Sequence, residues 1–159
     1  YPNLRMTFAG WANPSYETQV RLAMERNDPE GVIFRYIGAV PNAELPALYA
    51  KSHLLVFASG CENMPNTLLE AMASGLPVIS SSADPMPEIG GDDCLYFDPR
   101  NPSEISACID EALSNYEETQ RRANSAMSSA EAYDWKRCAD ATFTVIVGAV
   151  RPSPRRSKL

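Results

Sequence analysis

The sequence predicts an α/β fold, a parallel sheet with helices on both faces. Two observations carry this. Short apolar runs alternate with stretches at helical spacing from one end of the chain to the other. Most of those runs are continuously apolar rather than alternating, the pattern of strands covered on two faces.

Taken in order, Leu4–Gly10 predicts a buried strand ending at a glycine. Ser15 is placed to cap a helix reaching Asn27, with Val20, Leu22, Ala23 and Met24 as its apolar face. Asp28-Pro29-Glu30-Gly31 is a turn, and Val32–Gly38 a second strand. A helix over Ala43–Lys51 carries Leu45, Leu48 and Tyr49 at helical spacing, before a third apolar run, His53–Ala58. Pro77–Ser81 is a fourth strand, Asp84–Glu88 an irregular loop or single helical turn, and Cys94–Phe97 a fifth strand. Ser103 is placed to cap a helix to Leu113, with Glu104 in its first turn, and helices follow over Tyr116–Glu131 and Trp135–Ala149.

Composition narrows the function. The 159 residues suffice for one domain, read as 1–150, followed by a basic, disordered tail at 151–159. A net charge of −6 argues against a nucleic-acid surface. The four cysteines form no C-x-x-C pair, so metal binding and a disulfide framework are both disfavoured, and reduced thiols in a cytoplasmic protein are expected. Neither a G-x-G-x-x-G nor a Walker lysine motif occurs. His53, the one histidine, heads a strand and reads as structural; the terminal Ser157-Lys158-Leu159 reads as a chance match to a peroxisomal address.

The informative stretch is Cys61–Gly75, CENMPNTLLEAMASG. It follows the third apolar run, so the order is strand, tight loop, helix and a Gly-Leu-Pro stop. Pro65 fits a helical first turn, whose N–H groups have no partner within the helix. Those free N–H groups and the positive end of the helix dipole suit a phosphate, with Asn66, Thr67 and Leu68 as donors. Glu62 lies in the loop, and Glu70 lies on roughly the same helix face as Asn66. A carboxylate accepts from a pair of sugar hydroxyls, so a phosphate cradle between two carboxylates can mould a sugar–phosphate–nucleoside. Taken alone, a glutamate on such a helix is more often solvated or paired with a lysine.

Glu62, seven intervening residues, Glu70 and the run AMASGLPVI resemble the nucleotide-sugar half of retaining GT-B glycosyltransferases, the group named glycosyl transferases group one. The likeness extends through FRYIG at 34–38, ELPALYA at 44–50, PEI at 87–89 and YFDP at 96–99, covering roughly residues 4–145. It implies a Rossmann-like donor-binding domain that serves sugar transfer from a UDP- or GDP-sugar, with retention and with neither metal nor cofactor. Glu62 would be the catalytic-site group meeting the donor sugar, together with backbone groups of Asn63 and Met64. Asn66 and Thr67 would bind the diphosphate through N–H groups, Glu70 the ribose, and Ala39 and Val40 the base. Polysaccharide biosynthesis and peripheral contact with the inner membrane face are the matching expectations.

Two departures qualify this. Asn63-Met64-Pro65 stand where the family often has glycines. An amino-terminal acceptor domain and a strand and loop with a basic diphosphate-binding pair would precede Tyr1, so the chain reads as a fragment, inactive alone. The last helix, with Phe143, Val145, Ile146 and Val147, would lean on that domain or mediate self-association. The alternatives are a nucleotide-sugar epimerase domain of the same architecture and a non-catalytic Rossmann-like binding module.

Overall fold

The computed structural model describes residues 1–150; the basic tail and its terminal tripeptide lie outside the described residues. The chain divides into two compact units, Tyr1–Leu48 and Tyr49 onward.

The first unit holds β1 (Met6–Ala9), α1 (Pro14–Asn27), β2 (Phe34–Gly38) and a 3-10 turn at Asn42–Glu44, with α2 (Leu45–Ala50) beginning at its end. β1 and β2 pair in parallel, Met6 opposite Phe34, and the Phe8 and Phe34 rings meet edge to face at 6.0 Å. The helix starts two residues earlier than a Ser15 cap implies. Asn13 is the cap, its side-chain oxygen accepting from the Tyr16 N–H at 2.9 Å, and Pro14 occupies the first turn. Val20 and Met24, one turn apart, are half-buried, whereas Leu22 points outward. Asp28 closes the turn: its buried carboxylate accepts from the N–H groups of Val32, Ile33 and Phe34. β1 is not the buried strand its composition predicts, since Thr7, Phe8 and Ala9 are exposed. A strand with one paired neighbour and a helix that buries no residue fully leaves apolar side chains in contact with solvent.

The second unit is built on β3 (Leu55–Phe57), α3 (Asn66–Ala73), β4 (Val78–Ser81), α4 (Met86–Gly90), a 3-10 turn at Gly91–Asp93, β5 (Leu95–Phe97), α5 (Pro102–Ser114), α6 (Tyr116–Ala130) and α7 (Trp135–Val150). Its sheet order is β3-β4-β5, all parallel, with Leu55 opposite Val78 and Ile79 opposite Leu95. β4 is the central strand, and every one of its residues is buried, with α3, α4 and α5 packed against it. One core cluster joins Ile79, Phe97, Cys108 and Ala112, with Leu54, Val56, Leu95, Ile105 and Ile109 at its margin.

The single covered sheet predicted from the alternation is thus, among the described residues, two parallel sheets of two and three strands. Alternation with helices fixes parallel pairing; it does not say which strand edges meet. α5 is capped by Asn101 rather than Ser103, with Pro102 in the first turn. The Asn101 oxygen accepts from the Ser103 and Glu104 N–H groups, while Glu104 reaches back to the Asp98 N–H. All four cysteines are unpaired; burial pushes the thiols of Cys94 and Cys108 up to about 11. No helix among the described residues is long and apolar enough to cross a membrane. α7 buries none of its residues.

Candidate functional site

The parallel order of β3, β4 and β5 places the loops that leave them at one edge of the sheet. The loop after β3 runs from Ala58 to Pro65 and enters α3. α3 anchors itself by Leu68, Ala71 and Met72, each fully buried at helical spacing. That face is fixed, so the opposite one, with Asn66, Thr67, Glu70 and Ala73, is exposed.

The amino end of α3 is an open one. Pro65, fully buried, stands just outside the helix rather than within its first turn, and no side chain caps the end. Asn66 donates its N–H to the Met64 carbonyl at 2.9 Å, and Leu69 donates to the Pro65 carbonyl at 3.1 Å. Between them, the N–H groups of Thr67 and Leu68 have no acceptor among the described residues. Of the expected diphosphate donors, Thr67 is free, Asn66 is engaged, and Leu68 takes the second open place.

Glu62 is half-buried in the loop, and its carboxylate has no hydrogen-bond or ion-pair partner among the described residues. Asn63 and Met64 beside it are exposed. Glu70 is exposed and is held on one side: the Tyr49 hydroxyl donates to Glu70 Oε2 at 2.9 Å. Tyr49, at the end of α2, is only 7% exposed. Burial and the adjoining carboxylate push its phenol well above the ordinary range, so it remains a proton donor at any working pH. Tyr49 shares helical spacing with Leu45 and Leu48, and its polar tip is the one sequence signal that sets it apart from them.

At the other end α3 stops in a Schellman turn. Gly75, at φ 73°, donates to the Met72 carbonyl, and Leu76 donates to that of Ala71. Gln120 on α6 donates to the Gly75 carbonyl at 3.2 Å, tying the turn to the neighbouring helix. Glu62, Asn63, Met64, Asn66, Thr67 and Glu70 therefore belong to one loop and one helix of the second unit. Ala39 and Val40 follow β2 in the first unit, Ala39 exposed and Val40 half-buried. His53 stacks edge-to-face with Tyr116 at 6.3 Å and lends its backbone carbonyl to the Tyr116 hydroxyl.

The model of the family Glycosyl transferases group 1 matches residues 1–128. Among curated relatives, O-antigen chain mannosyltransferase B of Escherichia coli is 33% identical over 143 residues, which is 90% of this chain and 36% of the relative. Glycogen synthase of Mycobacterium tuberculosis is 30% identical over 128 residues, 76% of this chain and 31% of the relative. The chain thus spans about a third of the length of these relatives. Among solved structures, the C-terminal domain of a glycosyl transferase group 1 family protein (LpcC) from Francisella tularensis superposes with a TM-score of 0.72 at 25% identity, covering 83% of this chain and 70% of that one. Anabaena Alr3699/HepE in complex with UDP and glucose superposes at 0.80 over 94% of this chain and 42% of that one; at 19% identity this speaks to the fold. A family model that matches residues 1–128, and a relative 33% identical over 90% of the chain, settle the family: this chain belongs to the glycosyl transferases group 1.

Proposed function

We propose that the chain is the donor-binding domain of a retaining glycosyltransferase, one that moves a hexosyl group from a nucleotide diphosphate sugar to an acceptor in polysaccharide synthesis. The observation that carries this reading is the open amino end of α3, with unpartnered N–H groups at Thr67 and Leu68 and with the carboxylates of Glu62 and Glu70 before and after it. The diphosphate takes the N–H groups and the helix dipole. Glu62, free of internal partners, meets the donor sugar alongside Asn63 and Met64. Glu70 accepts from the ribose hydroxyls, and Asn66 joins the diphosphate by exchanging its bond to the Met64 carbonyl. The loop after β2, with Ala39 and Val40, is the segment proposed for the base.

Charge developing on the departing diphosphate is stabilised by these dipoles and by cationic groups from elsewhere in the complete enzyme, with no bound metal or cofactor. The rest of the catalytic cleft, including the acceptor site, belongs to the two thirds of the relatives' length that this chain does not span, so the chain alone binds donor without transferring sugar. In that whole enzyme the exposed apolar face of α7 meets an acceptor domain, or a second copy of the chain, and the enzyme works in the cytoplasm at the inner membrane face.

The relatives named as mannosyltransferases make a mannosyl donor the first to test. Calorimetric or NMR titration of the chain with UDP- and GDP-sugars is expected to give weak, saturable binding. Glu70→Ala should weaken it about tenfold or more, the scale of a hydrogen bond to a charged group. Saturation curves indifferent to that substitution would remove Glu70 from the ribose site.

A further inference from the structure

We infer that Tyr49 is a positioning residue for the nucleotide site: its hydroxyl holds one oxygen of Glu70 so that the other faces the ribose diol. The inference rests on the donor-site reading above and adds the group that sets the carboxylate's orientation.

The Tyr49 hydroxyl and Glu70 Oε2 are 2.9 Å apart across a sequence separation of 21 residues, so this bond joins α2 to the exposed face of α3. The two ends differ in freedom. Tyr49 is buried, and its ring is fixed by its surroundings; Glu70 is exposed, on a flexible side chain with three rotatable bonds. A buried anchor on a mobile carboxylate removes rotamers before any ligand arrives, which is preorganisation in the sense that lowers the cost of binding. The stoichiometry of acceptors also fits. A carboxylate has about four lone-pair sites; one donor on Oε2 leaves Oε1 whole and one site on Oε2, enough for two hydroxyls of one sugar. The phenol keeps the proton it donates to Glu70, because burial and the adjoining carboxylate both disfavour its ionisation.

A purely architectural tie between α2 and α3 would look the same in the folded structure, so the test must read ribose selectivity. The dissociation constants of UDP and GDP, and of their 2′,3′-dideoxy forms, would be measured for the wild-type chain, Tyr49→Phe, Glu70→Ala and the double variant, with thermal melting of each. Tyr49→Phe keeps the ring and removes only the donor. The expected result is a loss of ribonucleotide affinity on the order of five- to tenfold, dideoxy affinity unchanged, and no effect of Tyr49→Phe once Glu70 is alanine. Equal weakening of both nucleotide forms, or retention of the full preference for the ribose form, overturns the positioning role while leaving the nucleotide site standing. A wild-type chain that binds both forms alike overturns the ribose role of Glu70 and this inference with it, and one that binds neither nucleotide overturns the donor-site reading as well.

Discussion

Gly75 shows how one residue decides where α3 ends. At φ 73° it occupies the left-handed region that closes α3, and its carbonyl receives Gln120. An added Cβ would lie 3.6 Å from the Met127 sulfur, ordinary contact distance, so the cost of Gly75→Ala is conformational rather than steric. That substitution is expected to lower stability by about 1 kcal/mol in chemical denaturation, with the urea dependence of the transition unchanged.

Asp28 gives a residue-scale statement about pH. Its carboxyl is held below the ordinary range, first by the Phe34 N–H and then by those of Ile33 and Val32, with Arg5 adding attraction and burial opposing them. A depressed carboxyl stabilises the fold above its unfolded pKa of about 4, and that contribution disappears as pH falls through the lower folded value. Asp28→Asn keeps the shape but offers a single acceptor oxygen to three donors. Melting measured from pH 7 to pH 3 should show the variant less stable at neutral pH and less sensitive to acid below pH 4.

At the scale of elements, helix ends rather than helix interiors distinguish the structure from the pattern. Asn13 and Asn101, each followed by proline, cap α1 and α5, where Ser15 and Ser103 lie inside the helices. An Asn-Pro pair leaves the asparagine extended and fixes the next φ, so it outranks a serine two residues on. Asn101→Ala removes an acceptor for two N–H groups and the donor to Glu104, and should cost about 1 kcal/mol, read as a lower melting temperature. Ser103→Ala at the nominal cap should leave the melting temperature within error. α6 is held to its neighbours by polar bonds as much as by alanines: the Thr119 hydroxyl donates to the Ala112 carbonyl and Arg122 donates to that of Asp92. Its buried positions, Thr119, Ala123, Ala126 and Ala130, are small, so close approach replaces large side chains there.

Across the whole molecule, apolar surface is unevenly covered. The second unit has a closed core around β4, while α7 exposes Trp135, Phe143, Val145, Ile146, Val147 and Val150. On this helix Phe143, Ile146, Val147 and Val150 recur at helical spacing, so they share an exposed apolar face suited to a contact surface. Because no residue of α7 is buried, the double substitution Ile146→Glu and Val150→Glu should leave the melting temperature unchanged within about 2 °C. A clear fall in melting temperature would show that α7 supports the chain's own fold. Sedimentation of wild type and variant over a concentration series would show whether the same face drives self-association.

The α/β class, the parallel pairing, the position of each strand and helix to within a few residues, and the strand–loop–helix unit that carries Glu62 and Glu70 were all legible by themselves in local pattern: apolar runs of strand length, helical spacing, and Gly and Pro at the junctions. These are short-range signals, and short-range physics sets them. Tertiary structure decided the rest. It divided the strands between two sheets, because edge pairing depends on groups far apart in sequence. It turned the Asn66 N–H inward to Met64 and left Thr67 and Leu68 open, because the Pro65 backbone sets the entry into α3. It brought Tyr49 to Glu70, a contact that no periodicity encodes, because the two side chains lie 21 residues apart in sequence and meet only in the folded chain.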